Sequence, residues 1–117
     1  MEIQRITPEQ THQLRQKVLR PNQPIEEMVY PLDQQPGSFH LGVLEGGVVL
    51  GIISVYPESE QGELNQGSWR IRGMAVEPEL QGQGLGKKLV EKAIELLRGS
   101  EAKKVWCNAR TTAIGFY

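Results

Sequence analysis

Between Trp69 and Arg98 the chain runs from a strand-like stretch, Trp69–Val76, through Glu77-Pro78-Glu79-Leu80 into Gln81-Gly82-Gln83-Gly84-Leu85-Gly86-Lys87, and on into an amphipathic segment, Leu85–Arg98. Three glycines at alternate positions let the backbone turn tightly and come close to a ligand. In the following segment Leu85, Leu89, Ala93, Leu96 and Leu97 form one helical stripe. Lys87, Lys88, Glu91, Lys92 and Glu95 lie opposite, and Gly99 suits the position just past the helix end. Lys103–Asn108 then reads as another strand. A strand, a helix and a second strand in that order make a crossover unit, which returns the chain parallel to the strand it left.

The remainder of the chain supplies antiparallel partners. Ile3–Ile6 reads as a first strand. Thr7-Pro8-Glu9-Gln10 is a helix start, with Thr7 as cap, Pro8 at the first helical position and Gln10 completing a capping box. Leu14, Val18 and Leu19 give that helix a buried stripe, and it ends near Arg20-Pro21. Pro21, Pro24, Pro31 and Pro36 mark a long loop with a helical turn around Ile25–Val29. Ser38–Leu44 and Val48–Tyr56, separated by Glu45-Gly46-Gly47, form a hairpin signature, and Pro57 closes the second strand. Glu58–Gly67 is a polar loop. Thr111 onward reads as the start of a helix. The expected architecture is α+β in α/β/α layers: a mixed, mostly antiparallel central sheet with helices on both faces, in one domain over residues 1–117.

Composition narrows the function. With 117 residues and a net charge of −1, a surface given over wholly to nucleic acid is excluded. The single cysteine, Cys107, can form neither an intrachain disulfide nor a zinc cluster, so no metal is expected. No apolar stretch approaches the roughly 18 residues a membrane helix needs, and the N-terminus has no apolar signal region. The expectation is a cytoplasmic domain that binds neither membrane nor nucleic acid. Charge is unevenly spread: residues 21–69 hold seven acids and no Lys or Arg, whereas residues 70–117 hold nine bases and five acids. The second half is the natural place to receive an anion.

The glycine loop opens on a helix N-terminus, where free N–H groups and the helix dipole favour negative charge, and Lys87 and Lys88 add to it. The chemistry suggested is phosphate or pyrophosphate binding by backbone N–H groups. Neither common nucleotide pattern fits. The dinucleotide spacing needs Gly where Lys87 stands, and the P-loop needs Gly at Gln81 and Ser or Thr at Lys88.

The run Met74-Ala75-Val76-Glu77-Pro78-Glu79-Leu80-Gln81-Gly82-Gln83-Gly84-Leu85-Gly86 resembles the acyl-CoA signature of the GNAT family of N-acetyltransferases. Gln81, Gly84 and Gly86 fall on its defining positions. The order of strands and helices and the closing Ala113-x-x-Phe116-Tyr117 fit as well. The resemblance implies acetyl-CoA as co-substrate, with its pyrophosphate on backbone groups of Gln81, Gly82, Gln83, Gly84, Leu85, Gly86 and Lys87. It implies that the pantetheine arm lies along Met74, Ala75 and Val76, in a slot opened by a β-bulge between that strand and Lys103–Asn108. It implies direct transfer of the acetyl group to a primary amine of a small molecule or protein, a strand N–H steadying the oxyanion. Cys107 is then not needed as a nucleophile and is expected to pack in the sheet.

Tyr117 falls on the family's tyrosine, which protonates the departing thiolate. The chain departs from the family at the positions of its usual base residues, which here are Arg70 and Arg110, with Asn108 the nearest asparagine. Glu77 and His40 are the other candidate bases, each more simply read as a surface or structural residue. Strand alternation puts Arg70, Arg72, Met74 and Val76 on one face. Arg70 and Arg72 could there clamp an anionic group of the acceptor, or pair with the acids of residues 26–63. The family pattern continues past the position of Tyr117, which implies a C-terminally truncated chain without the final strands. An uncovered edge invites a homodimer. The alternative to an enzyme is a CoA-binding or dimerising module without turnover.

Overall fold

The computed structural model describes residues 1–64, 67–99 and 102–107. Strands β1 (Glu2–Ile6), β2 (Phe39–Glu45), β3 (Val48–Tyr56), β4 (Ser68–Val76) and β5 (Lys104–Trp106) form one sheet, with neighbours in chain order. β1–β2, β2–β3 and β3–β4 are antiparallel, while β4–β5 is parallel. The mixed, mostly antiparallel sheet read from the sequence is therefore present. Glu45 pairs with Val48 across Gly46-Gly47, the two-residue turn that the hairpin signature anticipates.

Helix α2 (Leu85–Arg98) crosses from β4 to β5 and packs on one face of the sheet. Its Leu85, Leu89, Val90, Ala93 and Leu97 are buried against Phe39, Leu41, Val43, Ile53, Val55, Trp69 and Ile71. Leu89 is wholly buried, and burying a leucine fully contributes about 1.5–3 kcal/mol. A Cβ on Gly51 would come within 3.4 Å of Leu89 Cδ1, so glycine in β3 lets the helix lie close. Leu96, expected in the stripe, sits at its edge and is only partly buried. Among the described residues, no helix is long and apolar enough to cross a membrane.

The opposite face is covered by an irregular helical stretch. A 3₁₀ turn, Pro8–Thr11, leads into a short α turn, α1 (His12–Leu14), and then a π segment, Arg15–Leu19. The capping box forms: Thr7 Oγ1 accepts from Gln10 N at 3.3 Å, and Gln10 Oε1 accepts from Thr7 N at 2.8 Å. Leu14 joins Ile6, Ile52 and Ala75 in a second, smaller apolar cluster, with Val18 packed beside it. The expected stripe fails at Leu19, which is 40% exposed. The cause is the i→i+5 spacing of the π segment, closed by Arg20 N donating to Arg15 O at 3.0 Å. The wider turn swings Leu19 outward and brings Arg15 inward, where it is completely buried.

Candidate active site

Strand β4 breaks its own alternation. Ile52 pairs with Ala75 and Ser54 with Arg72, so one residue of β3, Ile53, stands opposite two of β4, Gly73 and Met74. Gly73 adopts φ +67°, the left-handed geometry of a glycine bulge. Its Cα–H faces the α1 side, where an added Cβ would lie 3.4 Å from the Tyr30 ring and 3.8 Å from Arg15 Nε. Arg70 and Arg72 stand opposite Tyr56 and Ser54 on that same side. Beyond the bulge Val76 packs in the α2-side core, and Met74 reaches α2, its Sδ 3.2 Å from where a Cβ on Gly86 would stand. Uninterrupted alternation would have kept Met74 and Val76 with the two arginines. The extra residue separates them. The described β4–β5 pairing spans Ser68↔Lys104, Trp69↔Val105 and Arg70↔Trp106, and β4 itself runs on to Val76.

The glycine loop leaves the end of β4 through a 3₁₀ turn, Pro78–Leu80. The Gln81 side chain donates to Val76 O at 3.0 Å, so it ties the loop back to the strand. Its backbone N–H donates to Pro78 O at 3.3 Å. Gly84 caps α2 at φ +83°, a left-handed conformation that side chains resist. The first helical bond runs from Lys88 N to Gly84 O at 3.1 Å. The N–H groups of Leu85, Gly86 and Lys87 therefore point out of the helix end with no acceptor within the helix. Open space surrounds Gly82 and Gly84, and Lys87 and Lys88 are exposed beside them. This is a donor set suited to a phosphate oxyanion.

A buried polar network lies on the α1 side, behind the bulge. Arg15 makes two hydrogen bonds to the Asp33 carboxylate, at 2.7 and 3.0 Å, and donates also to Met28 O at 2.6 Å and Ser54 Oγ at 2.8 Å. Tyr56 Oη donates to Asp33 Oδ1 at 2.6 Å, and Tyr30 N donates to Asp33 Oδ2 at 2.9 Å. Burial by itself would raise the Asp33 carboxyl pKa. The hydrogen bonds from Arg15, Tyr56 and Tyr30 overcome it and hold the group below its ordinary value. Burial, then the hydrogen bond to Asp33, pushes the Tyr56 phenol upward, so it stays protonated. His40 is buried, its Nδ1 2.7 Å from Ser54 Oγ and its Nε2 3.3 Å from Asp33 O. Burial lowers its pKa, which keeps the ring neutral at pH 7. No feature of the local sequence singled out Arg15, Tyr30, Asp33, Ser54 or Tyr56.

The remaining candidates are dispersed. Arg70 pairs with Glu58 at 3.2 Å and lies 5.3 Å from the Trp106 ring. Among the described residues Arg72 meets no carboxylate, and it lies 4.5 Å from the centroid of the Tyr30 ring. Glu77 is engaged by Lys17 at 2.5 Å, and that bond raises the Lys17 pKa. Cys107 is partly buried against the α2-side core. Asn108, Arg110, Thr111, Ala113, Phe116 and Tyr117 lie outside the described residues.

The description "Acetyltransferase (GNAT) family" belongs to the family model that matches residues 8–117. The chain is 38% identical over 117 residues to an uncharacterized N-acetyltransferase, YitI, of Bacillus subtilis (strain 168), covering all of this chain and 78% of that protein. Among solved structures, a GNAT family acetyltransferase from Brucella melitensis in complex with acetyl-CoA superposes with a TM-score of 0.75 at 24% identity, covering 96% of this chain and 77% of that one. A ribosomal-protein-alanine N-acetyltransferase from Brucella melitensis biovar Abortus 2308 gives 0.69 at 17% identity, covering 97% and 83%. These two likenesses are of fold.

Proposed function

The chain belongs to the GNAT acetyltransferase family, and on that premise we propose that it moves an acetyl group directly from acetyl-CoA to a primary amine of a small molecule or protein. The observation that carries this reading is the placement of the glycine loop. It opens the N-terminus of α2 immediately after the bulged strand β4. The donor set fits a pyrophosphate: the N–H groups of Leu85, Gly86 and Lys87 are free of helical acceptors, and Gly82 and Gly84 leave the approach open. Gln81 serves by a different route, holding the loop on Val76. Backbone groups of Met74, Ala75 and Val76 would hold the pantetheine arm, and Gly86 leaves room for Met74 between strand and helix. When bound, acetyl-CoA supplies an acetyl group activated as a thioester.

Tyr117 is the proposed general acid toward the departing thiolate. Neither Glu77 nor His40 suits the part of general base. Glu77 is held by Lys17, and His40 is locked to Ser54 and to the Asp33 carbonyl beneath the sheet. A finer reading makes the acceptor anionic, which draws support from Arg72 and not from the paired Arg70.

Calorimetry with acetyl-CoA on the wild type and on Gly84→Glu tests the reading, together with thiol release over a panel of primary amines. Micromolar binding, lost in a folded Gly84→Glu variant, and thiol release with some amine are expected. Absence of binding by folded wild type would overturn the cofactor site. Binding without turnover on any amine would favour the alternative of a CoA-binding module.

A further inference from the structure

Three guanidinium groups surround one aromatic ring at the bulge. The Cζ atoms of Arg15, Arg72 and Arg20 lie 3.9, 4.5 and 5.2 Å from the centroid of Tyr30. Arg15 is neutralised by Asp33. Arg72 and Arg20 have no carboxylate within ion-pair distance among the described residues, and the Arg20 guanidinium donates to the neutral Gln23 Oε1, at 3.3 Å. Both are partly buried. The ring face attracts the cations, but it cannot cancel the repulsion among them. An oxyanion bound by these guanidinium groups would do so, since guanidinium groups bind carboxylate and phosphate with two parallel hydrogen bonds.

The location gives this charge a use. Arg72 immediately precedes the bulge residue Gly73, and Tyr30 lies behind that bulge. Arg20 and Tyr30 bracket the loop whose Ile25 and Val29 are exposed. We propose that Arg72 and Arg20, held against Tyr30, form the anion subsite of the acceptor, so that the substrate is a primary amine that also carries a carboxylate or phosphate. The inference rests on the acetyl-transfer reading above. Arg70, already paired with Glu58, is not part of the subsite.

The test compares amino acids with their methyl esters, which keep the amine and lose the charge, and with aminoalkyl phosphonates. Wild type, Arg72→Ala, Arg72→Lys and Arg20→Ala are assayed by thiol release. Acetyl-CoA affinity is measured separately by calorimetry. Acids or phosphonates should be preferred over esters, and whichever is preferred identifies the anion. Arg72→Ala should raise the KM for the acidic amine about 10–100-fold, as loss of charge-assisted hydrogen bonds would. It should leave the KM for the ester and the acetyl-CoA affinity unchanged. Arg72→Lys should restore part of the loss, and Arg20→Ala, which removes no sheet residue, should act in the same direction. Equal use of esters and acids, or equal impairment of both by the variants, would overturn the subsite. If acetyl-CoA binds and no amine is turned over, the transfer reading fails, and calorimetry with the same panel decides the subsite by itself. Acidic amines bound by wild type and lost in Arg72→Ala and Arg20→Ala would uphold it, and failure of wild type to bind any of them would overturn it.

Discussion

At neutral pH Asp33 holds a charge that burial opposes and that hydrogen bonds from Arg15, Tyr56 and the Tyr30 backbone sustain. Removing the carboxylate would leave the Arg15 guanidinium buried without its counter-ion. Breaking a buried pair from one side costs about 3–5 kcal/mol, a large share of the roughly 5–15 kcal/mol that holds a domain folded. Asp33→Ala should therefore lower the unfolding free energy in urea by about that amount. A loss below about 1 kcal/mol would show that the network is dispensable. At this scale the sequence is least legible. Arg15 directly follows a core leucine and is indistinguishable by periodicity from a solvated helix residue, and its partner Asp33 sits in a proline-rich loop. The one trace is the run of residues 21–69 without Lys or Arg, which leaves its acids to find cations elsewhere in the chain.

Elements were far more readable than single contacts, because burial of a stripe leaves a period and burial of a pair does not. Val48–Tyr56 and Leu85–Arg98 occur with the limits that their patterns suggest. β5 is shorter in the described residues, Lys104–Trp106 instead of Lys103–Asn108. The π segment Arg15–Leu19 was missed because a heptad-like stripe cannot reveal a widened turn. The position of the bulge was missed for a similar reason: Gly73 in a strand signals an irregularity, but not which side gains the residue. Gly73→Ala tests how strongly that irregularity is fixed. A side chain at φ +67° meets the left-handed penalty, and its Cβ would rest against Tyr30. A loss of about 1–2 kcal/mol in chemical denaturation is expected. Unchanged stability would mean that the strand can relax into regular pairing.

For the molecule as a whole, two buried groups set a direction for pH. His40 has its pKa lowered below 6.5 and Asp33 below 3.8. In each case the unfolded chain takes up its proton first as pH falls, so the folded state loses stability on acidification. The contribution from His40 is complete above about 6.5 and erodes below it, whereas that from Asp33 erodes below about 3.8. The melting temperature should fall between pH 7 and pH 5, and His40→Gln, which cannot titrate, should flatten that interval. An equally steep decline in the variant would assign the effect to other groups. The two apolar clusters, one under α2 and one under α1, follow the layered arrangement that the order of elements implies. The polar end of the α1 face does not, since it joins residues from the helix, the proline loop, β2 and β3 that lie far apart in the chain.

The extra residue in β4 also works as a change of reading frame within a single strand. Before Gly73 the even positions, Arg70 and Arg72, address the α1 side; after it the even positions, Met74 and Val76, address the helix that the glycine loop begins. Parity is inverted at one point. Side chains upstream can therefore change on the α1 face while those downstream keep their fit to α2. One continuous backbone carries two independently editable messages, and Gly73 is the punctuation between them.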